Sequence, residues 1–152
     1  MESDSTAVAD VVVELVREVR EWPGVRLEAH RYGGTAFLVG SREIGHVHEW
    51  GMLDVAYLRA LRDALVAEGR TAEHHLLANS GWTTFEIEKP GDLEHARWLV
   101  RLSYLYHVNA LQQRGTGDAE LDAVDVEHEL EALGVSDAVR DAFFRKPPAS
   151  AT

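Results

Sequence analysis

The stretch VRLEAHRYGGTAFLVGSREIGHVH, residues 25–48, decides the fold. Short runs rich in apolar residues are separated by glycine-containing turns at 33–34 and 40–41, a pattern that is typical of strands joined by tight turns. We therefore predict strands over residues 25–30, 35–39 and 43–48. Turns this short join strands that run in opposite directions, so the sequence indicates an antiparallel meander.

Further elements lie on both sides of this meander. Apolar residues recur at helical spacing in three segments, residues 6–21, 55–68 and 93–111. Asp54 precedes the second of these segments and is its expected N-cap. Strand patterns follow at residues 73–77 and 82–88. Near the C-terminus, residues 121–133 and 136–144 alternate acidic and apolar side chains, which indicates an amphipathic hairpin of two helices.

These elements predict one α+β domain over residues 1–146. In this domain a small antiparallel sheet is covered by helices, and the C-terminal helical hairpin completes the fold. The remaining residues, 147–152, are rich in proline and alanine, and we expect them to form a disordered tail.

The composition excludes several classes of function. The formal net charge of −11 over 152 residues disfavours nucleic acid, because phosphate backbones are bound by surplus lysine and arginine. The chain has no cysteine, and therefore no disulfide framework, thiolate metal site or cysteine nucleophile. No apolar run approaches the length of a membrane span, and the acidic N-terminus differs from a signal peptide. We expect a cytoplasmic protein without nucleic-acid or membrane partners, and homodimerisation stays open.

The heptapeptide Arg-Glu-Ile-Gly-His-Val-His, residues 42–48, is the main candidate for a functional site. Strand side chains alternate between two faces, so Arg42 is expected on the same face as His46 and His48. Glu43 then points to the other face. Imidazole changes charge near neutral pH and binds metals, so the pair suits acid–base catalysis or a metal site. A structural hydrogen-bond network or a solvent-facing strand would give the same pattern.

A third imidazole is available from a later strand. His74 and His75 are adjacent and point in opposite directions, so one of them can join the first pair. Zinc or iron bound by His46, His48 and His74 is therefore the metal alternative.

Other side chains in the sequence are ambiguous. Trp82 shares a strand face with Thr84, and it can wall a pocket for a flat ligand or fill the core. Ser103 and Tyr104 lie on the long helix, where a hydrogen bond to the helix backbone and half-buried packing are the simpler interpretations. The isolated histidines are interpreted as surface or packing residues: His30, His95, His107 and His128.

In order and spacing, these residues resemble the luciferase-domain family, which includes the fungal luciferase. The resemblance starts with the heptapeptide and a short helix, and continues with Gly69, which precedes His74 by five residues. It then includes the Trp-Thr-Thr-Phe run at 82–85 and a helix that contains Ser-Tyr at 103–104. Together the matching features span about residues 34–106.

The resemblance implies oxygen chemistry on a small enol, pyrone or aromatic substrate, without a cofactor. It assigns the role of base to His46 or His48. Anion stabilisation would come from His74 and Arg42. The residues implied for substrate binding are Glu43, Trp82, Thr84 and Tyr104. Two alternatives stay open: a metal-dependent enzyme that uses the three histidines, and a non-catalytic module that binds a small ligand or a protein partner.

Overall fold

The computed structural model describes residues 2–74, 76–77, 80–116 and 118–145, and only the backbone of residues 2–5. His75 and the expected tail at 147–152 lie outside the described residues. Within these ranges, six strands form one antiparallel sheet in the order β1-β2-β3-β4-β6-β5. They are β1 Val25–His30, β2 Gly34–Val39, β3 Arg42–Val47, β4 Met52–Ala56, β5 Ala72–Glu73 and β6 Trp82–Glu86. The predicted meander is confirmed.

Six helices accompany the sheet in the described part of the chain: α1 Glu2–Arg20, α2 Arg59–Ala67, α3 Asp92–Arg114, α4 Ala119–Asp122, α5 Val126–Ala132 and α6 Asp137–Phe144. α1 and α3 pack against the sheet, while α5 packs on α3 and α6 packs on α2. The predicted α+β class, with C-terminal helices beside a small antiparallel sheet, is confirmed. None of the described helices combines the length and the apolar character that crossing a membrane requires.

The hydrophobic core lies between the sheet and the helices α1 and α3. Phe37, Ile44 and Val55 from three neighbouring strands are each 0% exposed and belong to one cluster with the buried residues of α3. Burial along α3 extends from Ala96 to Leu111, because the helix has the sheet, α1 and α5 as neighbours. The apolar residues of the strands therefore face the helices, and the intervening residues face away from them.

Asp54 lies in the middle of β4, and its prediction as a helix N-cap is wrong. Leu53 and Val55 are fully buried, so the alternation of the strand points Asp54 to the opposite face. α2 begins later, at Arg59, and Leu58 before it makes no side-chain cap hydrogen bond. Burial of each branched side chain contributes roughly 1.5–3 kcal/mol, which exceeds the ~1 kcal/mol of an N-cap.

The C-terminal helices are more divided than predicted. The single helix expected over residues 121–133 is split into α4 and α5, because two aspartates cap separate helices. The Asp118 side chain accepts backbone N–H groups at the start of α4, and the Asp125 side chain does so at the start of α5. Ser136 caps α6 in the same way, through the N–H of Val139.

A β-bulge interrupts β3. Gly45 pairs with Phe37, whereas Glu43 pairs with the next residue of β2, Leu38. Ile44 is therefore an extra residue on β3, without a counterpart on β2. Its side chain is fully buried in the core, so the bulge adds an apolar contact on the helix side of the sheet.

The bulge reverses the alternation of side chains along β3. Glu43 and His46 come to the same face and are in contact. Arg42 pairs with the buried Val39, and it interacts with residues of α3 on the helix side of the sheet. The expectation that Arg42 shares a face with His46 and His48 is therefore wrong. Strict alternation does not hold across an inserted residue.

α3 contacts the bulge through Ser103. The Ser103 hydroxyl lies 2.9 Å from the carbonyl oxygen of Ile44 and 2.6 Å from that of Ala56, so it donates to the sheet. His107 Nδ1 in turn donates to the backbone oxygen of Ser103 at 2.8 Å. The Ser103 side chain therefore forms hydrogen bonds to the strands rather than to the backbone of its own helix. These bonds connect α3 to β3, the strand that carries His46.

Gly45 is required by the close approach of β3 and β4. A Cβ on this residue would lie 2.8 Å from the backbone oxygen of Asp54. We expect Gly45→Ala to push the strands apart and to lower the free energy of unfolding by roughly 1–3 kcal/mol, as overpacking does. Urea unfolding measures the change. Gly91→Ala is the control, because nothing lies within 4 Å of a Cβ at that position. Wild-type stability in Gly45→Ala would contradict the close approach.

Candidate functional site

Strand pairing places a row of side chains on the sheet face that is turned away from α1 and α3, which we call the polar face. The direct neighbours in this row are Ala36 of β2, His46 of β3, Asp54 of β4 and Thr84 of β6. Side chains directly opposite each other in an antiparallel sheet are close enough to interact. The register therefore brings an imidazole, a carboxylate and a hydroxyl together.

Asp54 is the centre of the hydrogen-bond network on the polar face. Its Oδ2 lies 2.9 Å from Nε2 of His46 and 3.4 Å from Nε2 of His74. Its Oδ1 accepts a hydrogen bond from the Thr84 hydroxyl at 2.6 Å. A second carboxylate oxygen, from Glu43, lies 3.3 Å from Nδ1 of His46. Both ring nitrogens of His46 therefore face carboxylates, which favours its protonated form.

His74 is oriented by the backbone that follows it. The N–H groups of Leu76 and Leu77 donate to His74 Nδ1 at 3.1 and 3.2 Å. That nitrogen therefore carries no proton, and the N–H at Nε2 faces Asp54. β5 ends at Glu73, earlier than predicted.

His30 reaches the polar face from β1. Its ring stacks on that of His46, with centroids 3.9 Å apart and planes at 17°. β2 lies between the two strands, and its residues opposite them are Gly34 and Ala36. Because these residues are small, the rings meet above β2. The interpretation of His30 as isolated is wrong, and the small residues on β2 were the available signal.

His48 follows β3 directly and is 7% exposed. Trp50 stacks on it, with ring centroids 4.4 Å apart and planes at 13°. Its Nδ1 is buried and has no hydrogen-bond partner among the described residues. A Cβ at Gly34 would lie 3.1 Å from this nitrogen, so the glycine leaves room for the ring. Unlike His46, this imidazole has no carboxylate bonded to it in the part of the chain that the structure describes.

The structure brings most of the expected site residues together, but not all of them. Trp82 lies beside His46, with ring centroids 5.2 Å apart, on the face that it shares with Thr84. Tyr104 is fully buried within α3, and its hydroxyl donates to the backbone oxygen of Pro23 at 2.7 Å. Tyr104 therefore does not join the histidines. Arg42 does not join them either, because it lies on the helix side of the sheet.

The central part of the chain matches a known family. Residues 41–103 match the family model described as the Luciferase domain. This segment of the chain is similar to the luciferase-domain family. The match extends from the turn before β3 to Ser103 in α3, so it includes His46, Asp54 and Thr84, but not His30. Neither a curated protein nor a solved structure gives a significant match.

The histidines of the polar face are of two electrostatic kinds. Burial is the largest single effect on the pKa of His46, and it lowers that pKa. The hydrogen bonds and charges of Asp54 and Glu43 together outweigh burial, so the pKa of His46 is raised from 6.5 to about 9. Burial, followed by the positive charge of His46, lowers the pKa of both His48 and His30. At neutral pH, His46 is therefore protonated, while His48 and His30 are neutral.

Three imidazoles of the polar face are grouped closely enough to be candidate metal ligands. One nitrogen from each of His30, His46 and His48 lies within 4.8 Å of the others. The metal alternative inferred from the sequence had His74 in place of His30, but His74 faces Asp54. Bonds of about 2.0–2.1 Å to a tetrahedral zinc ion separate the ligand atoms by about 3.4 Å, so the rings would have to approach one another.

Proposed function

We propose that this protein is a cofactor-independent oxygenase that acts on a small enol, pyrone or aromatic substrate. The observation that carries the proposal is the contact between a neutral imidazole, His48, and a protonated one, His46. Their ring centroids are 5.7 Å apart, and their planes meet at 79°. A base beside a fixed positive charge can remove a proton and stabilise the anion that results.

The reaction starts with proton transfer from the substrate hydroxyl to His48. The enolate is stabilised by the charge of His46, whose N–H groups are directed at Glu43 and Asp54. The enolate gives one electron to dioxygen, and the two radicals combine to form a carbon–oxygen bond. The peroxide oxygen takes the proton back from His48. The net reaction adds dioxygen to the substrate and requires no other reductant.

Two tryptophans support a flat substrate on the polar face. Trp50 is 53% exposed and stacks on His48, while Trp82 lies beside His46. Flat aromatic side chains give a large contact area to a planar ring. They also exclude water from the histidines, and this strengthens the interaction of an enolate with the imidazolium.

Oxygen uptake by the untagged protein, with a panel of hydroxypyrones, enolisable ketones and phenols, tests the proposal. The expected result is saturable uptake that is lost in the His46→Ala/His48→Ala double variant. His128→Gln is the control, because His128 is exposed on α5 and uptake should be unchanged. Saturable binding of the same compounds without uptake would contradict an oxygenase and favour the non-catalytic binding module.

Elemental analysis of protein purified without a histidine tag tests the metal-dependent alternative. We expect less than one transition-metal ion per chain, because His46 must lose its proton before it can bind a metal. A near-stoichiometric metal that is lost in His30→Gln would contradict the cofactor-free mechanism. Loss of oxygen uptake after chelation would then assign the reaction to the metal.

A further inference from the structure

The two edges of the sheet differ in length. The strand order places β1 at one end and β5 at the other, so each pairs with a single neighbouring strand among the described residues. β5 has two residues, whereas β1 has six. A long edge strand presents a row of backbone groups to solvent, and a strand from another chain can pair with them. β1 is therefore the edge at which the sheet can be extended.

The backbone groups of alternate residues on β1 point away from β2. The N–H of Val25 donates to the backbone oxygen of Trp22 at 3.1 Å, so it is not used for pairing with β2. Residues of an antiparallel pair alternate between those that exchange hydrogen bonds with the neighbouring strand and those that do not. Leu27 and Ala29 therefore direct their N–H and C=O groups outward as Val25 does, and these groups are available to a further strand.

The side chains of β1 divide between an apolar and a charged face. Leu27 is partly buried and packs against the core from the helix side of the sheet. Glu28 pairs with Ala36 of the polar face, so Glu28 and Arg26, two residues before it, lie on that face. Arg26 and Glu28 form an ion pair, and both side chains are about half exposed. The outer edge of β1 thus carries opposite charges two residues apart.

This charge pattern is complementary to itself when two copies of β1 run antiparallel. Registers that keep the helices of both copies on one side of the joined sheet differ by two residues, and two of them overlap along most of β1. With Leu27 opposite Leu27 of the second copy, Arg26 lies opposite Glu28, and Val25 lies opposite Ala29. With Glu28 at the centre instead, two glutamates lie opposite each other. Opposite charges across a strand pair stabilise it and like charges destabilise it, so the register centred on Leu27 is favoured.

The favoured register joins two ion pairs into a cluster of four charges. Arg26 pairs with Glu28 on its own strand, and its Nη2 donates to the backbone oxygen of Gly40 at 3.0 Å. Each charge in the cluster then has an opposite charge along its strand and another across the interface. Such a network stabilises more than an isolated exposed pair does. Because Arg26 is already held in the single chain, less side-chain freedom is lost when a second copy binds.

We propose that β1 is a self-association surface, at which a second copy of this chain pairs antiparallel with Leu27 at the two-fold axis. The dimer doubles the six-stranded sheet and places both polar faces on the same side. One strand pair is a small interface, so we expect a weak dimer with a Kd of about 10–100 µM. At the low micromolar concentrations of unfolding experiments the chain is therefore a monomer, in which Arg26 and Glu28 form an ordinary exposed pair. The surface does not depend on the function proposed for the polar face.

Sedimentation equilibrium at protein concentrations from about 5 to about 500 µM measures the self-association. An ionic strength of about 0.15 M limits the range of charge interactions to about 8 Å, so it screens most of the repulsion between two chains that each carry a net charge of −11. We expect a monomer–dimer equilibrium in the wild type. Dimerisation should be at least about tenfold weaker in Arg26→Glu and in Glu28→Arg, because each change places like charges opposite each other twice.

An equimolar mixture of the two variants tests the register. In a heterodimer, the introduced glutamate of Arg26→Glu faces the introduced arginine of Glu28→Arg, and the two native charges face each other. The mixture should therefore associate about as strongly as the wild type. Arg17→Glu is the matched control, since Arg17 is an exposed arginine that pairs with Glu14 of its own helix. Its dimerisation should equal that of the wild type.

The double variant Arg26→Glu/Glu28→Arg keeps the proposal testable if a single variant folds poorly. It reverses both charges, so each introduced glutamate again faces an introduced arginine, and it should dimerise about as strongly as the wild type. Circular dichroism checks that each variant is folded. A wild type that stays monomeric throughout the concentration range, or a folded Arg26→Glu that dimerises like the wild type, would overturn the proposal. A mixture that associates no better than its separate variants would also overturn it, because the charges would then not face each other.

Discussion

Asp54→Asn is expected to lower the free energy of unfolding by roughly 3 kcal/mol at neutral pH. Removal of one partner of a buried ion pair leaves the other charge uncompensated, so His46 must either lose its proton or remain charged without its main partner. Asparagine keeps the shape of aspartate and can still accept the hydrogen bond of Thr84. The effect therefore lies at the low end of the range of about 3–5 kcal/mol for buried pairs. Urea unfolding measures it.

The pH dependence of stability should change in the same variant. The pKa of His46 is raised from 6.5 to about 9 in the folded protein, so its pairing stabilises the fold fully below pH 6.5 and is lost as the pH rises through about 9. Burial raises the pKa of Asp54, but hydrogen bonds from His46 and Thr84 outweigh burial and lower it. The contribution of Asp54 is therefore present above its ordinary value of 3.8 and is lost as the pH falls further. Asp54→Asn removes the acidic slope and reduces the alkaline one, because Glu43 still faces His46.

Glu28→Gln is the matched control for this prediction. Glu28 pairs with Arg26 on β1, and both side chains are about half exposed. Exposed ion pairs contribute little, so this variant should keep the stability and the pH profile of the wild type. NMR titration of the His46 ring measures its protonation directly. An imidazole that titrates near 6.5, or a wild-type stability that is flat between pH 6.5 and 9, would contradict the ion pair.

The sheet could be predicted from the sequence because its signals are local. Apolar runs separated by glycine turns in residues 25–48 depend on neighbouring residues alone, and β1 to β3 lie close to their expected positions. Asp54 is a different case. An acid before an apolar pattern is equally typical of a helix N-cap and of a strand. A strand forms here because it buries Leu53 and Val55 in a core that includes residues distant in the chain.

The polar face could be predicted only in part. His46 and His48 lie after the bulge, so their spacing correctly places them in contact. Arg42 lies before the bulge, which becomes evident only from the pairing of β3 with β2. His30 approaches His46 across β2, and this depends on the register between strands and on small residues such as Gly34. Contacts of this kind are set by strand pairing, which local patterns do not encode.

His48→Gln is expected to reduce kcat for oxygen uptake at least about 100-fold, since general-base catalysis typically contributes that much. Glutamine has a similar length, but it cannot accept a proton at neutral pH. KM should change little, because Trp50 and Trp82, which we propose to hold the substrate, are retained. The measurement uses the compound with the highest uptake in the panel, and circular dichroism checks that the variant folds. Partial recovery of activity in His48→Ala by added imidazole would support the assignment of the base.

The pH profile of kcat/KM distinguishes a base from a residue that only shapes the site. In the wild type we expect a bell-shaped profile. Its acidic limb follows His48, whose pKa is lowered below 6.5 by burial and by the charge of His46. Its alkaline limb, at about 9, follows the loss of the proton from His46. His48→Gln should lose the acidic limb and keep the alkaline one, whereas Asp54→Asn should shift the alkaline limb to lower pH. Wild-type kcat with an unchanged acidic limb in His48→Gln would assign the base to another group.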